Sequence, residues 1–432
     1  MNHARMSLPT LPLVALFALA AAAARTPDAR LATGRIAVAS WPYLPGSSVA
    51  LRVDGFAPPF TAAVLGAGHI AGDRYEIPSG TEKGKATLVL GNGAGLASST
   101  IQIADPPPTN RPLLVVASYD DGLVVHDGSR FAVLGLLATG GTPTDVAVDA
   151  GGRIAAADTQ GTALTLATLA PWSVKKIDGV ALGDEIAIDT TTQAIFVTDR
   201  DVNGSGALTR VAADGSVTRV ATGATAEGLA IDERRQIVYV ANANDGTICA
   251  VDAGSMRVLR RIRAVNRVFS LALSPDGDRL YAVSNQSANS PFGAAGSVVA
   301  LALQGSAWRI VARSAALAFP LGVALDSQTA TLFVTDEELA QIDVLDARTL
   351  RAKRPPLRTC ATPWKPQVDA ADRRLYVPCA SADSVDAFDT RSFRRAAHAP
   401  FRTGSYPLAI ATWRPTDPST RHPVPRSGLR TI

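Results

Sequence analysis

Acidic and amide side chains recur in this chain at two fixed points of a repeated pattern. Asp145, Asp184, Glu185 and Glu227, with Lys365, stand just ahead of short apolar runs, whereas Asp120, Asp121, Asp158, Asp199, Asn242, Asn285 and Asp336 close others. Several such oxygen ligands brought to one place suit a hard cation such as Ca²⁺, for which Glu227, Asp199 and Asn242 are the metal candidates. Trp364 and Lys365, with Phe269 and Phe319, add aromatic and cationic groups through which a small molecule or peptide could be held. A plainer account uses the same residues, because Asp and Asn after a strand satisfy turn backbone. Other chemistries find less material. The five histidines, His3, His69, His126, His398 and His422, form no pair at metal spacing, and no haem motif or Gly-x-Ser-x-Gly elbow occurs. His126, at the end of an apolar strand, reads as a satisfied surface or strand-end residue rather than a general base.

The elements that must position these groups are short strands. Ile237 to Asp252 is the clearest unit: β-branched and aromatic residues, a turn at Asn242 to Gly246, then a second alternating strand. Strand ends of one type repeat as Val146-Ala147-Val148-Asp149, Ile186-Ala187-Ile188-Asp189, Leu229-Ala230-Ile231-Asp232, Leu271-Ala272-Leu273-Ser274, Val323-Ala324-Leu325-Asp326 and Pro366-Gln367-Val368-Asp369, with Ile410-Ala411-Thr412-Trp413 as a degenerate seventh. Their spacing of 40 to 52 residues is that of a four-stranded propeller blade, the longest step being explained by an insertion at Asn285 to Gly296. The array opens with a second-type strand, Leu113 to Ser118, and ends with a first-type strand, Pro407 to Trp413. Pairing the two closes a ring and removes its free edges.

The expected fold is therefore all-β: a small Ig-like β-sandwich over residues 30–106, a Pro-rich linker at 107–110 and a seven-bladed β-propeller over 111–415. Residues 1–24, with Arg5 ahead of an apolar run ending in alanines, read as a signal peptide, and 416–432 as a disordered tail. A membrane anchor is the competing account of the leader, against which stand Pro9, Pro12 and its length. Export places the protein in the periplasm or outside the cell. A net charge of +4 with scattered basic residues argues against nucleic acid as a partner. In a propeller, Cys360, on a loop entering a first-type strand, and Cys379, ending the next second-type strand, lie on one face and are placed for a disulfide. Cys249 is left as a free core thiol.

Phe196-Val197-Thr198-Asp199, Tyr239-Val240-Ala241-Asn242 and Phe333-Val334-Thr335-Asp336 resemble the YVTN family of β-propeller repeats over about residues 111–415, and residues 30–106 resemble the Ig-like domains of exported bacterial proteins. The repeat implies a secreted propeller and specifies fold more than chemistry. Its funnel face, where Asp145, Glu185, Asp199, Glu227, Asn242, Asp336, Trp364 and Lys365 would converge, is the expected site for a protein or small-molecule ligand. The leading function is a non-catalytic binding module. The alternative is a metal-dependent lactonase: Glu227-Gly228-Leu229 and Ser270-Leu271-Ala272-Leu273-Ser274-Pro275-Asp276-Gly277 are similar to elements of gluconolactonase-type propellers. Phe269 and Ser270, however, replace the Asn-Gly that supplies a metal ligand in that family.

Overall fold

The computed structural model describes residues 32–54, 61–92, 95–180, 182–200, 204–287 and 294–415. The expected leader, residues 55–60 of the expected Ig-like unit, part of the 285–296 insertion and the tail lie outside those residues. Among the described residues the chain is built from strands, with a single 3₁₀ turn at Ala380–Ala382, and no helix is long and apolar enough to cross a membrane.

Seven four-stranded antiparallel sheets follow one another between Leu113 and Trp413. In six of them the strands run in chain order, as in Ala226–Asp232, Ile237–Asn242, Thr247–Asp252 and Val258–Arg263. The seventh is completed by the two ends of the array: Pro407–Trp413 pairs with Leu113–Ser118, Ile410 opposite Val116. The first strands of successive sheets contact each other in a closed cycle that returns from Pro407–Trp413 to Pro143–Val148. Alternation explains the layers, because apolar side chains from both faces of each sheet pack against its neighbours, Phe196 and Val238 in one such layer and Phe333 and Leu375 in another.

The strand-end Asp that marks the period has a local role. Asp189 Oδ1 accepts from Thr191 and Thr192 N–H, Asp232 from Arg235 N–H and Asp326 from Gln328 and Thr329 N–H, capping the tight turn into the second strand. The motif threonines tie neighbouring sheets together. Thr198 Oγ1 accepts from Glu185 N–H in its own sheet and donates to Glu227 O in the next (2.8 Å). Thr335 does the same between Gly322 and Trp364 O (2.7 Å).

Residues 32–103 form a five-stranded and a three-stranded sheet. The first of their strands is Ala32–Ile36, and Gly84–Asn92 and Gly95–Ile103 form a long hairpin. This unit is no detached spacer. Leu44 N–H donates to Leu136 O, Leu136 N–H to Pro42 O and Ser48 N–H to Ala138 O (2.7–2.8 Å), so residues 42–48 extend the outer strand Val133–Leu137 of a neighbouring sheet. Trp172 Nε1 donates to Pro45 O (2.9 Å). Leu44, 0% exposed, lies in one apolar cluster with Leu113, Leu137 and Trp413.

Candidate functional site

Three of the acidic residues that could do chemistry, Asp184, Glu185 and Glu227, sit where the first strands break register. The ladder slips between Gly183 and Ile186 and again between Ala226 and Leu229. Asp184 and Glu185 occupy the first bulge and Glu227 and Gly228 the second. A bulge re-aims side chains that regular alternation would send into the sheet packing. Gly228 is required there, since a Cβ would stand 2.4 Å from Phe269 O of the adjoining strand.

Two ion groups result. Lys365, on the loop before Gln367–Asp369, places Nζ 3.1 Å from Glu185 Oε1 and 3.8 Å from Asp145 Oδ2. Arg200, at the end of Ile195–Arg200, lies 2.5 Å from Glu227 Oε2 and 3.3 Å from Asp184 Oδ1. Backbone from the adjacent sheets holds the first group: Ile186 N–H donates to Asp145 Oδ2 (3.0 Å) and Leu229 N–H to Glu185 Oε2 (2.6 Å). Each group sets two carboxylates against one cation, so each needs one proton to be neutral. Burial is the largest influence on Glu185, pushing it up to about 7, with Asp145 and Asp184 adding and Lys365 opposing. Burial also raises Glu227, to about 9, reinforced by Asp184, which shares its proton and is held low by Lys365 and Arg200. Asp145 is raised by burial. Burial works against the Lys365 ammonium, but Glu185, Asp145 and Asp184 together outweigh it and hold its pKa above the usual lysine range.

Asp145, Glu185 and Lys365, with Ser270 and Gln367 and the backbone of several first strands, line a cavity of about 310 Å³ in the middle of the ring. That volume is at the small end of ligand sites. It brings a carboxylate ionising near neutrality against a fixed ammonium, an arrangement suited to proton transfer beside a developing negative charge.

The other sequence candidates lie elsewhere. Asp199 is paired with Arg219 (2.7 Å). Asn242 Nδ2 donates to Thr222 O and Thr247 Oγ1, leaving Oδ1 buried without a partner. Asp336 accepts from Ala318, Phe319 and Leu339 N–H, and Asp158 from Thr142 and Gln160 N–H. These follow the turn account. Trp364 is half-buried, with its carbonyl accepting from Thr335, and does not line the cavity.

Of the expected Ca²⁺ set, Glu227 and Asp199 are ion-paired within the chain, and Asn242 is anchored through its Nδ2. Among the described residues no group of three or more His, Cys, Asp or Glu side chains is placed to hold a metal ion. His126 is fully buried rather than superficial: Nδ1 donates to Phe131 O (3.1 Å), Nε2 accepts from Thr403 Oγ1 (2.9 Å), and burial lowers its pKa to about 4. Cys360 and Cys379 are bonded, their Cα atoms 5.7 Å apart, and Cys249 is free and buried. Sequence reasoning missed Arg200 and the inter-sheet threonines. The recurrence of Thr before Asp in Thr198-Asp199 and Thr335-Asp336 was the available signal for the latter.

No protein-family model matches the chain, and no curated protein matches it. Solved structures do resemble it. A functionally unknown protein from Desulfotomaculum acetoxidans is 14% identical, with a TM-score of 0.58 over 71% of this chain and 100% of that one. The periplasmic gluconolactonase PpgL of Pseudomonas aeruginosa is 15% identical, with a TM-score of 0.58 over 70% and 98%. A candidate 6-phosphogluconolactonase from Bacteroides uniformis is 10% identical, with a TM-score of 0.58 over 70% and 100%. Likeness at such identities speaks for architecture alone, and with the cycle of four-stranded sheets it makes this chain a β-propeller.

Proposed function

We propose that this protein is an exported propeller hydrolase of small cyclic esters, acting at the axial cavity through its own side chains. The carrying observation is the Glu185–Lys365 pair, 3.1 Å apart on the wall of that cavity. In this reading Glu185, as carboxylate, takes a proton from a water molecule attacking the lactone carbonyl. The Lys365 ammonium faces the oxyanion that forms, and the proton passes from Glu185 to the ring oxygen as the ester C–O bond breaks, giving a hydroxy acid. No step runs through a metal. The printed names of two neighbours, a gluconolactonase and a candidate 6-phosphogluconolactonase, support the substrate class by analogy of fold. The same reading takes the seven sheets as blades of a YVTN-type propeller, residues 30–106 as an Ig-like domain and residues 1–24 as the leader for export to the periplasm.

The test is hydrolysis of glucono-δ-lactone by the mature chain in chelator, followed by pH-stat. Turnover above the spontaneous rate, unchanged by added Ca²⁺, is expected. Turnover that appears only with a divalent cation would overturn the metal-free assignment. A second reading, a binding module without catalysis, is favoured by one observation: Asp145 and Glu185 also accept amides from the adjacent sheet, as purely structural clasps would. Binding of the lactone without turnover would select it.

A further inference from the structure

A second cavity, of about 670 Å³, lies where the N-terminal unit meets the propeller, and it shares no lining residue with the axial one. Its lining carries charge of both signs. On one side the ladder sets Arg35 opposite Asp54 and Ile36 opposite Val53. Alternation therefore turns Ile36 into the core and Arg35, Ala37, Arg52 and Asp54 toward the cavity, which all four line. On the other side stand Asp120 and Asp121, at the end of the strand Leu113–Ser118, with Thr142 and Gln160.

The charges do not meet. Among the described residues neither Arg35 nor Arg52 has an ion pair, and no salt bridge joins either to Asp54, Asp120 or Asp121. Asp120 and Asp121 are oriented instead by Ser405, whose hydroxyl and N–H donate to them (3.2 and 2.6 Å). Flexible surface charges of opposite sign would ordinarily close on one another. Here the walls belong to two units locked by the Pro42 to Ser48 ladder and by Leu44, so the gap is held open. Unpaired charge of both signs on facing walls is suited to a ligand that brings both complements itself.

We propose that this cleft binds a small zwitterion of the short-peptide class, its carboxylate on Arg35 and Arg52 and its ammonium on Asp120 and Asp121. Isothermal titration of the mature chain with tri-alanine tests it, beside the N-acetylated and C-amidated forms. Binding of the zwitterion is expected, with each cap weakening it tenfold or more. Arg35→Ser with Arg52→Ser should erase the effect of the C-terminal cap, and Asp120→Asn should reduce the effect of the N-terminal cap. Because Arg35, Arg52 and Asp120 are exposed, these variants keep the fold, which their thermal midpoints check. The proposal is overturned if tri-alanine gives no binding at millimolar concentration, if only one cap matters, or if the variants bind all three forms as the parent does.

Discussion

Replacing Glu227 by Gln should make the protein less sensitive to alkali. Burial and the neighbouring Asp184 raise Glu227 from 4.5 to about 9, so the folded state keeps a proton that the unfolded chain releases. The folded pKa being the higher one, the associated stability is fully present below pH 4.5 and is lost as pH climbs toward 9. At about 1.4 kcal/mol per pH unit, the wild type should lose about 4 kcal/mol through this group between pH 5 and pH 8. Gln presents a permanent N–H₂ donor to Asp184 and nothing to ionise. The variant should thus be comparable to wild type near pH 5 and more stable by a few kcal/mol near pH 8. Urea denaturation at both pH values measures this. Parallel loss of stability in the two proteins would show that the Asp184–Glu227–Arg200 group carries no shared proton, and the electrostatic account of the axis would fail.

His126 predicts the opposite limb. Its folded pKa of about 4 lies below the ordinary 6.5, so stability is present above 6.5 and falls by about 3 kcal/mol as pH drops toward 4, a slope that His126→Gln should remove in acid denaturation curves. Reducing the Cys360–Cys379 bond, which spans 19 positions, should cost about 3 kcal/mol, read as a lowered denaturation midpoint in dithiothreitol that the Cys360→Ser, Cys379→Ser double variant does not show. Leu44→Ala should cost about 2–5 kcal/mol and split one unfolding transition into two, because Leu44 packs the N-terminal unit onto the propeller. A loss below about 1 kcal/mol in a single transition would mean that the docking is superficial.

Much of the scaffold could be read from residues alone because its signals are local. The Asp that ends most first strands caps the turn it precedes, as Asp189, Asp232 and Asp326 do, so the period follows from bonds that span only a few residues. The overlap of Leu113–Ser118 with Pro407–Trp413 was legible because an array beginning and ending mid-unit has no other way to satisfy both edges. The site was only partly legible. Asp145, Glu185 and Lys365 line the axial cavity and Glu227 meets Arg200 nearby, whereas Asp199 pairs with Arg219, Asn242 bonds to Thr222 and Thr247, and Asp336, chosen by equal logic, caps its own turn. Glu185 and Glu227 are set apart by a bulge in the first strand, a register slip with no distinctive residue type. Arg200 was invisible for a related reason: it follows one strand end and no other, so no repeat announces it. The docking of residues 42–48 depends on a partner strand almost ninety positions away, beyond any local pattern.

The central claim is that Glu185 works as a base against Lys365, and a pH profile of kcat/KM for glucono-δ-lactone addresses it directly. The wild type should rise through an apparent pKa near 7, as the raised Glu185 loses its proton, and Glu185→Gln should fall by about 10²-fold or more with that limb abolished. A wild-type rate flat from pH 5 to pH 8, or a Glu185→Gln variant with the full rate and the same profile, would contradict the account.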